Sequence, residues 1–277
     1  MGRTVACANQ KGGVGKTTTV INLGSYLALT GQRILVVDLD PQGNATSGFG
    51  LDRTALERSA YDALLDGTAL ESIVVRSEID GLDVIPSAIA LAGAEIELAP
   101  VVGREHRLAH LVSDIANDYD IVFIDCPPSL GLLTVNALTA AQSVLIPLQC
   151  EYYALEGLTQ LLATVNLVRD HLNPVLEIEG VVLTMFDART NLSADVADEA
   201  RTHLGSRVFR TVIPRSVRLS EAPSHGQPIV RYSPDSQGAV AYAALAAEFV
   251  ERHPIPVEIA RQVQQSASIP PVAVVVS

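Results

Sequence analysis

A chain of 277 residues, 48% hydrophobic and 18% charged, has the apolar content to bury a sizeable core and is not a disordered polymer. Its net charge of −12, from 19 basic and 31 acidic residues, excludes a surface that binds nucleic acid all over, so any such contact must be local. Cys7, Cys126 and Cys150 are widely spaced with no C-x-x-C pair, which excludes a disulfide framework or zinc ribbon and points to a reducing cytoplasm.

In chain order, an apolar strand at Val5 to Ala8 runs into Lys11-Gly12-Gly13-Val14-Gly15-Lys16-Thr17-Thr18, and a helix follows with Val20, Leu23 and Leu27 on one face, ending at Gly31. The run Ile34 to Val37 predicts a buried parallel strand that delivers Asp38 and Asp40 at its C-terminal end. Pro41 to Gly50 reads as a loop too polar for the core, and 54–80 as short peripheral helices. Leu82 to Pro86 predicts a short strand, Arg104 to Asn117 a helix, and Ile121 to Asp125 a second apolar strand ending in a carboxylate. Further helices are expected at Leu132 to Ala141, Leu155 to His171, Asp195 to Leu204 and Gly238 to Arg252, with strands at Ser143 to Pro147, Ile178 to Thr184 and Val208 to Ile213. This alternation without hairpin signals predicts an α/β fold: a mostly parallel sheet with helices on both faces. Residues 1–253 form the expected domain, and 254–277, with four prolines, an expected flexible tail without an assigned role. No apolar run approaches the roughly 18 residues of a membrane span. Ala6 stands where myristoylation after Met1-Gly2 wants Ser or Thr, so an unanchored protein is expected.

Strand, glycine-rich turn and helix, in that order, are what a phosphate-binding loop requires. Glycines let main-chain N–H groups curl around phosphate oxygens, and the helix N-terminus adds its positive end. Lys16 supplies charge, and the Thr17 hydroxyl can ligate Mg²⁺. The common pattern G-x-x-x-x-G-K-[ST] would place glycine at position 10, where this chain has Gln10, and a second lysine, Lys11, opens the loop instead. Asp125 ends a strand in the manner of a Walker B carboxylate that holds Mg²⁺ through water. Asp38 and Asp40, two apart on a strand, share a face, so spacing does not separate their roles.

The loop resembles the deviant Walker A box of the ParA/MinD superfamily of P-loop ATPases. Asp38 to Thr46 matches that family's D-x-D-P-Q-G-N-A-T segment. The stretches Ile124 to Ser129, Pro147 to Gly157, Leu183 to Thr190, Ile213 to Arg215 and Ser220 to Gly226 are similar to the Soj branch of chromosomal ParA proteins. The resemblance spans about residues 2–252. It implies ATP and Mg²⁺ as cofactors and an ATP-sandwich homodimer in which Lys11 reaches the partner subunit's phosphates while Lys16 acts in its own subunit. It also implies that Gly12 to Thr18 cradle the phosphates, that Asp40 positions the attacking water, and that Met185 and Pro214 lie near the adenine. A ParB-type centromere-binding partner that stimulates hydrolysis is implied as well.

Between Ser206 and Ser220 there are four arginines, Arg207, Arg210, Arg215 and Arg218, and no acid, a positive island in an acidic chain. Arg189 lies one strand away and can join the island; by resemblance Arg189 and Arg218 match DNA-contacting positions, and Arg215 is expected to contact DNA with them. Without interleaved aromatics, such a patch grips phosphates of double-stranded DNA and ignores sequence, which places the protein on the nucleoid. A MinD-like membrane-cycling protein would need a basic amphipathic C-terminal helix, and 254–277 holds one arginine and no lysine. A redox relative would need cysteines facing a dimer axis, and a metabolic enzyme of the same fold would make the arginines incidental.

Overall fold

The aliphatic runs become strands of one sheet, and the helices between them cover it. The computed structural model describes residues 2–151 and 154–253. The elements are β1 (Arg3–Cys7), α1 (Lys16–Leu29), β2 (Ile34–Asp38), α2 (Asn44–Gly48), α3 (Ala60–Asp66), β3 (Val75–Arg76), β4 (Leu82–Ile85), α4 (Leu91–Leu98), α5 (Arg107–Ile115) and β5 (Ile121–Asp125). They continue with α6 (Leu132–Ala140), β6 (Ser143–Gln149), α7 (Ala154–His171), β7 (Glu177–Phe186), α8 (Asn191–Leu204), β8 (Val208–Pro214), α9 (Val217–Glu221), α10 (Ile229–Tyr232) and α11 (Gln237–Arg252).

The strand order is β3-β4-β2-β5-β1-β6-β7-β8, parallel throughout except for the antiparallel pair β3–β4. Side chains alternate between two cores, as the pleat requires. Ala6, Val122, Ile124, Val144 and Ile146 pack beneath α5, α6 and α7, through Leu108, Val112, Ala137 and Leu161. Val5, Cys7, Phe123 and Leu145 pack beneath α1 and α11, through Leu23, Leu27, Leu245 and Phe249. Both β2 and β5 are buried along their whole length, which explains why they read as unbroken apolar runs. The two helices on the second face are tied by a buried bond between Thr19 Oγ1 and the Tyr242 hydroxyl, 3.1 Å apart.

At the β8 edge, Glu248 of α11 accepts the main-chain N–H groups of Arg210 and Thr211 at 2.8 and 2.9 Å. Arg252 also donates to Glu248, at 2.8 Å, and its guanidinium lies over the Phe209 ring.

Four expectations need correction. The segment 54–80 is not all helical: after α3 and one short 3₁₀ turn (Leu70–Ser72), β3 pairs with β4 in a hairpin. A two-residue strand is too short to show alternation, which is why it was illegible. The polar stretch Pro41 to Gly50 contains α2, and Ala45, Thr46 and Phe49 are buried. Its buried hydroxyl, Thr46 Oγ1, is satisfied internally, by Asp38 and the Ser87 N–H, while Gln42, Asn44 and Ser47 face solvent. The expected helix Arg104 to Asn117 is α5 flanked by two 3₁₀ turns, and α4, α9 and α10 were not anticipated. Helix α8 starts four residues before Asp195, because the Thr190 side chain caps it at the Ser193 N–H. The tail, 254–277, lies outside the described residues.

Candidate nucleotide site

The parallel strands β1, β2, β5 and β7 all end on one side of the sheet, where open α/β sheets collect ligands. A cleft of about 340 Å³ opens there. One wall is Gly12, Gly13, Gly15, Lys16, Thr17 and Thr18, between β1 and α1; the opposite wall includes Asp40, Gln42 and Asn44 from the chain after β2. Gly13 and Gly15 have φ of +73° and +91°, values that only glycine takes without strain, and they turn the main chain so that α1 starts at Lys16. Lys16 is buried at 6% exposure, and its ammonium donates to the Lys11 carbonyl at 3.2 Å, folding the loop over itself. The loop is moored to the sheet at two further points. Thr184 Oγ1 on β7 donates to the Val14 carbonyl at 2.8 Å, and Asn9 bridges the Pro147 carbonyl and the Lys11 N–H.

The two aspartates that spacing left undivided have different surroundings. Asp38 is fully buried and accepts the Thr46 hydroxyl at 2.6 Å, the Thr46 N–H at 2.8 Å and the Asp40 N–H at 3.2 Å. Burial raises its carboxyl to about 6 in spite of these donors. Thr46 Oγ1 in turn accepts the Ser87 N–H, and Ser87 donates to the Asp40 carbonyl, so Asp38 holds the turn together from inside. Asp40 borders the cleft, with one oxygen on the Gln42 N–H at 2.9 Å.

Asp125 sits beside Asp38 in the β2–β5 register and beside Cys7 in the β1–β5 register. It is fully buried, and neither carboxylate oxygen has a hydrogen-bond partner among the described residues. Burial first and the Asp38 charge second push its carboxyl well above the usual range; Thr17 and Lys16 are near enough to pull it down, though the Thr17 hydroxyl falls outside hydrogen-bonding geometry. An orphaned buried carboxylate beside a threonine hydroxyl fits a hard cation. Mg²⁺ suits such a place, since it takes one or two carboxylates and fills its octahedron with water and phosphate oxygens.

Lys11 is not in this cleft. Its ammonium lies 3.5 Å from Glu151, and it borders a separate cavity of about 300 Å³ with Gln10, Val14 and α7 residues. Val14 likewise lines that second cavity, contributing its carbonyl to the Thr184 bond. Met185 lines the nucleotide cleft with φ +51°, the one non-glycine at positive φ among the described residues. Pro214, expected near the same place, ends β8 and does not line the cleft; Pro223 does. Sequence reasoning missed Thr184, Ser87, Glu151 and Pro223 as parts of the site. Glu151 and Pro223 stood inside quoted motifs without a role, and nothing in spacing could link Ser87 to Asp38.

The arginine island is less bare than its sequence. Arg210 pairs with Glu248 and Glu251, Arg218 with Glu221 at 2.9 Å, and Arg189 grips Asp187, whose carboxyl these bonds hold below its usual range. The neutralising acids come from positions 187, 221, 248 and 251, outside the acid-free window. Arg215 is exposed at the end of β8, and its charge also lowers the Asp187 carboxyl.

A parallel sheet carrying a glycine loop, a buried lysine and a strand-end carboxylate around one cleft defines a P-loop ATPase. The AAA domain family matches residues 2–178, and the sporulation initiation inhibitor protein Soj of Bacillus subtilis (strain 168) is 58% identical over 248 residues, 90% of this chain and 98% of Soj. The chain belongs to the ParA/Soj family of chromosome-partitioning ATPases. The chromosome partitioning protein ParA of Caulobacter vibrioides (strain NA1000 / CB15N) is 53% identical over 252 residues, 90% of this chain and 94% of that one. Among solved structures, cobyrinic acid a,c-diamide synthase from Mycobacterium smegmatis, with a bound ATP analog and magnesium, superposes with a TM-score of 0.80 at 40% identity, covering 89% of this chain and 93% of that one. Among the described residues no helix is long and apolar enough to cross a membrane.

Proposed function

We propose that this ATPase binds ATP with Mg²⁺, forms a nucleotide-sandwich homodimer, and in that state binds double-stranded DNA without sequence preference. Gly12 to Lys16 hold the phosphates, with Lys16 neutralising charge. The Thr17 hydroxyl ligates Mg²⁺ directly and Asp125 through water. Mg²⁺, when bound, neutralises the phosphate charge that builds during transfer. Asp40 orients the attacking water, and Thr18 and Met185 complete the nucleotide pocket. The observation that carries this reading is the orphaned, buried Asp125 carboxylate near Lys16 and Thr17, the two residues that wall the same cleft as Asp40.

Lys11 supports the dimer. A lysine in the phosphate loop that faces away from its own cleft has its natural target in a second copy. Each subunit then presents Arg189, Arg215 and Arg218, and two subunits double the number of phosphate contacts and the salt dependence. Hydrolysis, stimulated by a ParB-type protein, releases the DNA; residues 1–253 form the ATPase domain of this cycle, which runs in the cytoplasm on the nucleoid. The Mycobacterium neighbour is named as a synthase, and a metabolic reading of the present chain would leave these arginines without a task.

The test is binding of the Asp40→Ala protein to an arbitrary duplex with ATP or ADP at two salt concentrations, with anionic liposomes as the control. Salt-sensitive binding in ATP alone supports the proposal. Equal affinity in both nucleotides sinks it, and liposome binding without DNA binding moves the protein to the MinD-like class.

A further inference from the structure

The turn that carries Asp40 is gripped from behind. Arg53, half-buried between α2 and α3, donates from Nη2 to the Pro41 carbonyl at 2.9 Å and from Nη1 to the Gln42 carbonyl. The Pro41 carbonyl belongs to the same planar peptide unit as the Gln42 N–H. That N–H is the donor to Asp40 Oδ1, at 2.9 Å. Carbonyl and amide of one trans peptide point in opposite directions, so a clamp on the first aims the second. A cationic donor on the carbonyl also polarises the peptide and strengthens the N–H at its other end.

Two details show that the contact is built. Gly43 closes the turn through its N–H to the Asp40 carbonyl at 2.8 Å, has φ +62°, and lacks the Cβ that would collide with the Arg53 guanidinium. Arg33, Arg104, Arg201 and Arg218 pair with carboxylates, whereas the hydrogen bonds of Arg53 among the described residues go to these two main-chain carbonyls.

We propose that Arg53 is a positioning residue for ATP hydrolysis, holding the 41–42 peptide so that the Asp40 carboxylate keeps the orientation that aligns the attacking water. The inference rests on the reading of Asp40 given above. It assigns Arg53 no contact with the nucleotide, so its effect belongs to turnover and not to binding.

The experiment compares wild type, Arg53→Gln, Arg53→Lys and Asp40→Asn as full-length proteins. Phosphate release at saturating Mg-ATP gives kcat, and titration with a fluorescent ATP analogue gives affinity. Arg53→Gln is expected to lower kcat by about tenfold or more with analogue affinity within about twofold of wild type, because misplacing a reacting group by a fraction of an ångström costs turnover before binding. Arg53→Lys, which keeps a cationic donor, is expected to recover most of the loss. Unchanged kcat in Arg53→Gln, or a parallel loss of kcat and affinity that lysine does not rescue, overturns the inference while leaving Asp40 in place. Wild-type turnover in Asp40→Asn overturns the Asp40 reading itself, and this inference with it.

Discussion

Asp38 and Asp125 occupy paired positions on neighbouring parallel strands, both fully buried, and among the described residues are opposites in hydrogen bonding: the first accepts three donors and the second none. Two adjacent buried carboxylates cost stability unless each has a use. Asp38 organises the chain after β2. Asp125 has no hydrogen-bond partner among the described residues, which is what the proposed Mg²⁺ role would use.

That difference sets a pH dependence. Burial raises both carboxyls in the fold above their unfolded values, Asp38 to about 6 and Asp125 also upward, so the folded state holds these protons longer. Their contribution to stability is therefore complete below the ordinary carboxylate range and declines as pH rises through the raised values. In nucleotide-free, metal-free protein, Asp125→Asn should raise Tm at pH 7.5 and by clearly less at a pH below the ordinary carboxylate range, read by calorimetry. An equal shift at both pH values would contradict the assignment.

The two lysines of the loop should separate in a binding assay. Lys16→Gln removes the buried ammonium from the cleft and should weaken ATP binding by about a hundredfold or more, some 2.7 kcal/mol. Lys11→Ala should leave affinity of the monomer within about twofold. Hydrolysis should nonetheless fall by about a thousandfold, the scale expected when a cation is delivered to the phosphates from another subunit. Affinity measured by calorimetry and turnover by phosphate release decide it.

If the proposed DNA contact is right, Arg218 must leave Glu221 before it meets a phosphate. Glu221→Gln should therefore tighten DNA binding in ATP, by a few-fold given the small worth of an exposed ion pair. Arg215→Ala should weaken binding to all duplexes alike and flatten the plot of log affinity against log salt by about 2 for a dimer. Anisotropy titrations at three salt concentrations measure both.

Away from the site, Tyr242→Phe deletes a buried hydroxyl and strands Thr19 between α1 and α11. The cost should be about 1–2 kcal/mol in urea unfolding, with ATP affinity unchanged. Thr46→Val should cost more, about 2–3 kcal/mol, since it removes one donor from Asp38, the hydroxyl, and the acceptor of the Ser87 N–H together, while the Thr46 N–H still donates to Asp38.

The phosphate loop was legible because its chemistry is written in consecutive residues: glycines where φ is positive, a lysine and a threonine at the start of α1. The buried strands were legible for the same local reason, Ile34 to Val37 and Ile121 to Ile124 being apolar on both faces. What stayed hidden depends on contacts distant in the chain. The different surroundings of Asp38 and Asp40 are set by Thr46 and Ser87, the last of these 47 residues from the Asp40 carbonyl it bonds. The pairing of Arg210 with Glu248 and Glu251 likewise joins β8 to α11, and no window around the arginines contains it. Length hid β3, whose two residues carry no period.

The Glu248 carboxylate, seated on two otherwise unpaired N–H groups of the outermost strand, has a meaning for how copies of this protein crowd together. A bare strand at that edge would invite a neighbour's strand and extend the sheet from molecule to molecule. With those donors occupied at one border and a two-residue strand at the other, the sheet offers no template for growth. Crowded copies then lack, at these two borders, the open ladder along which strands of neighbouring molecules would add.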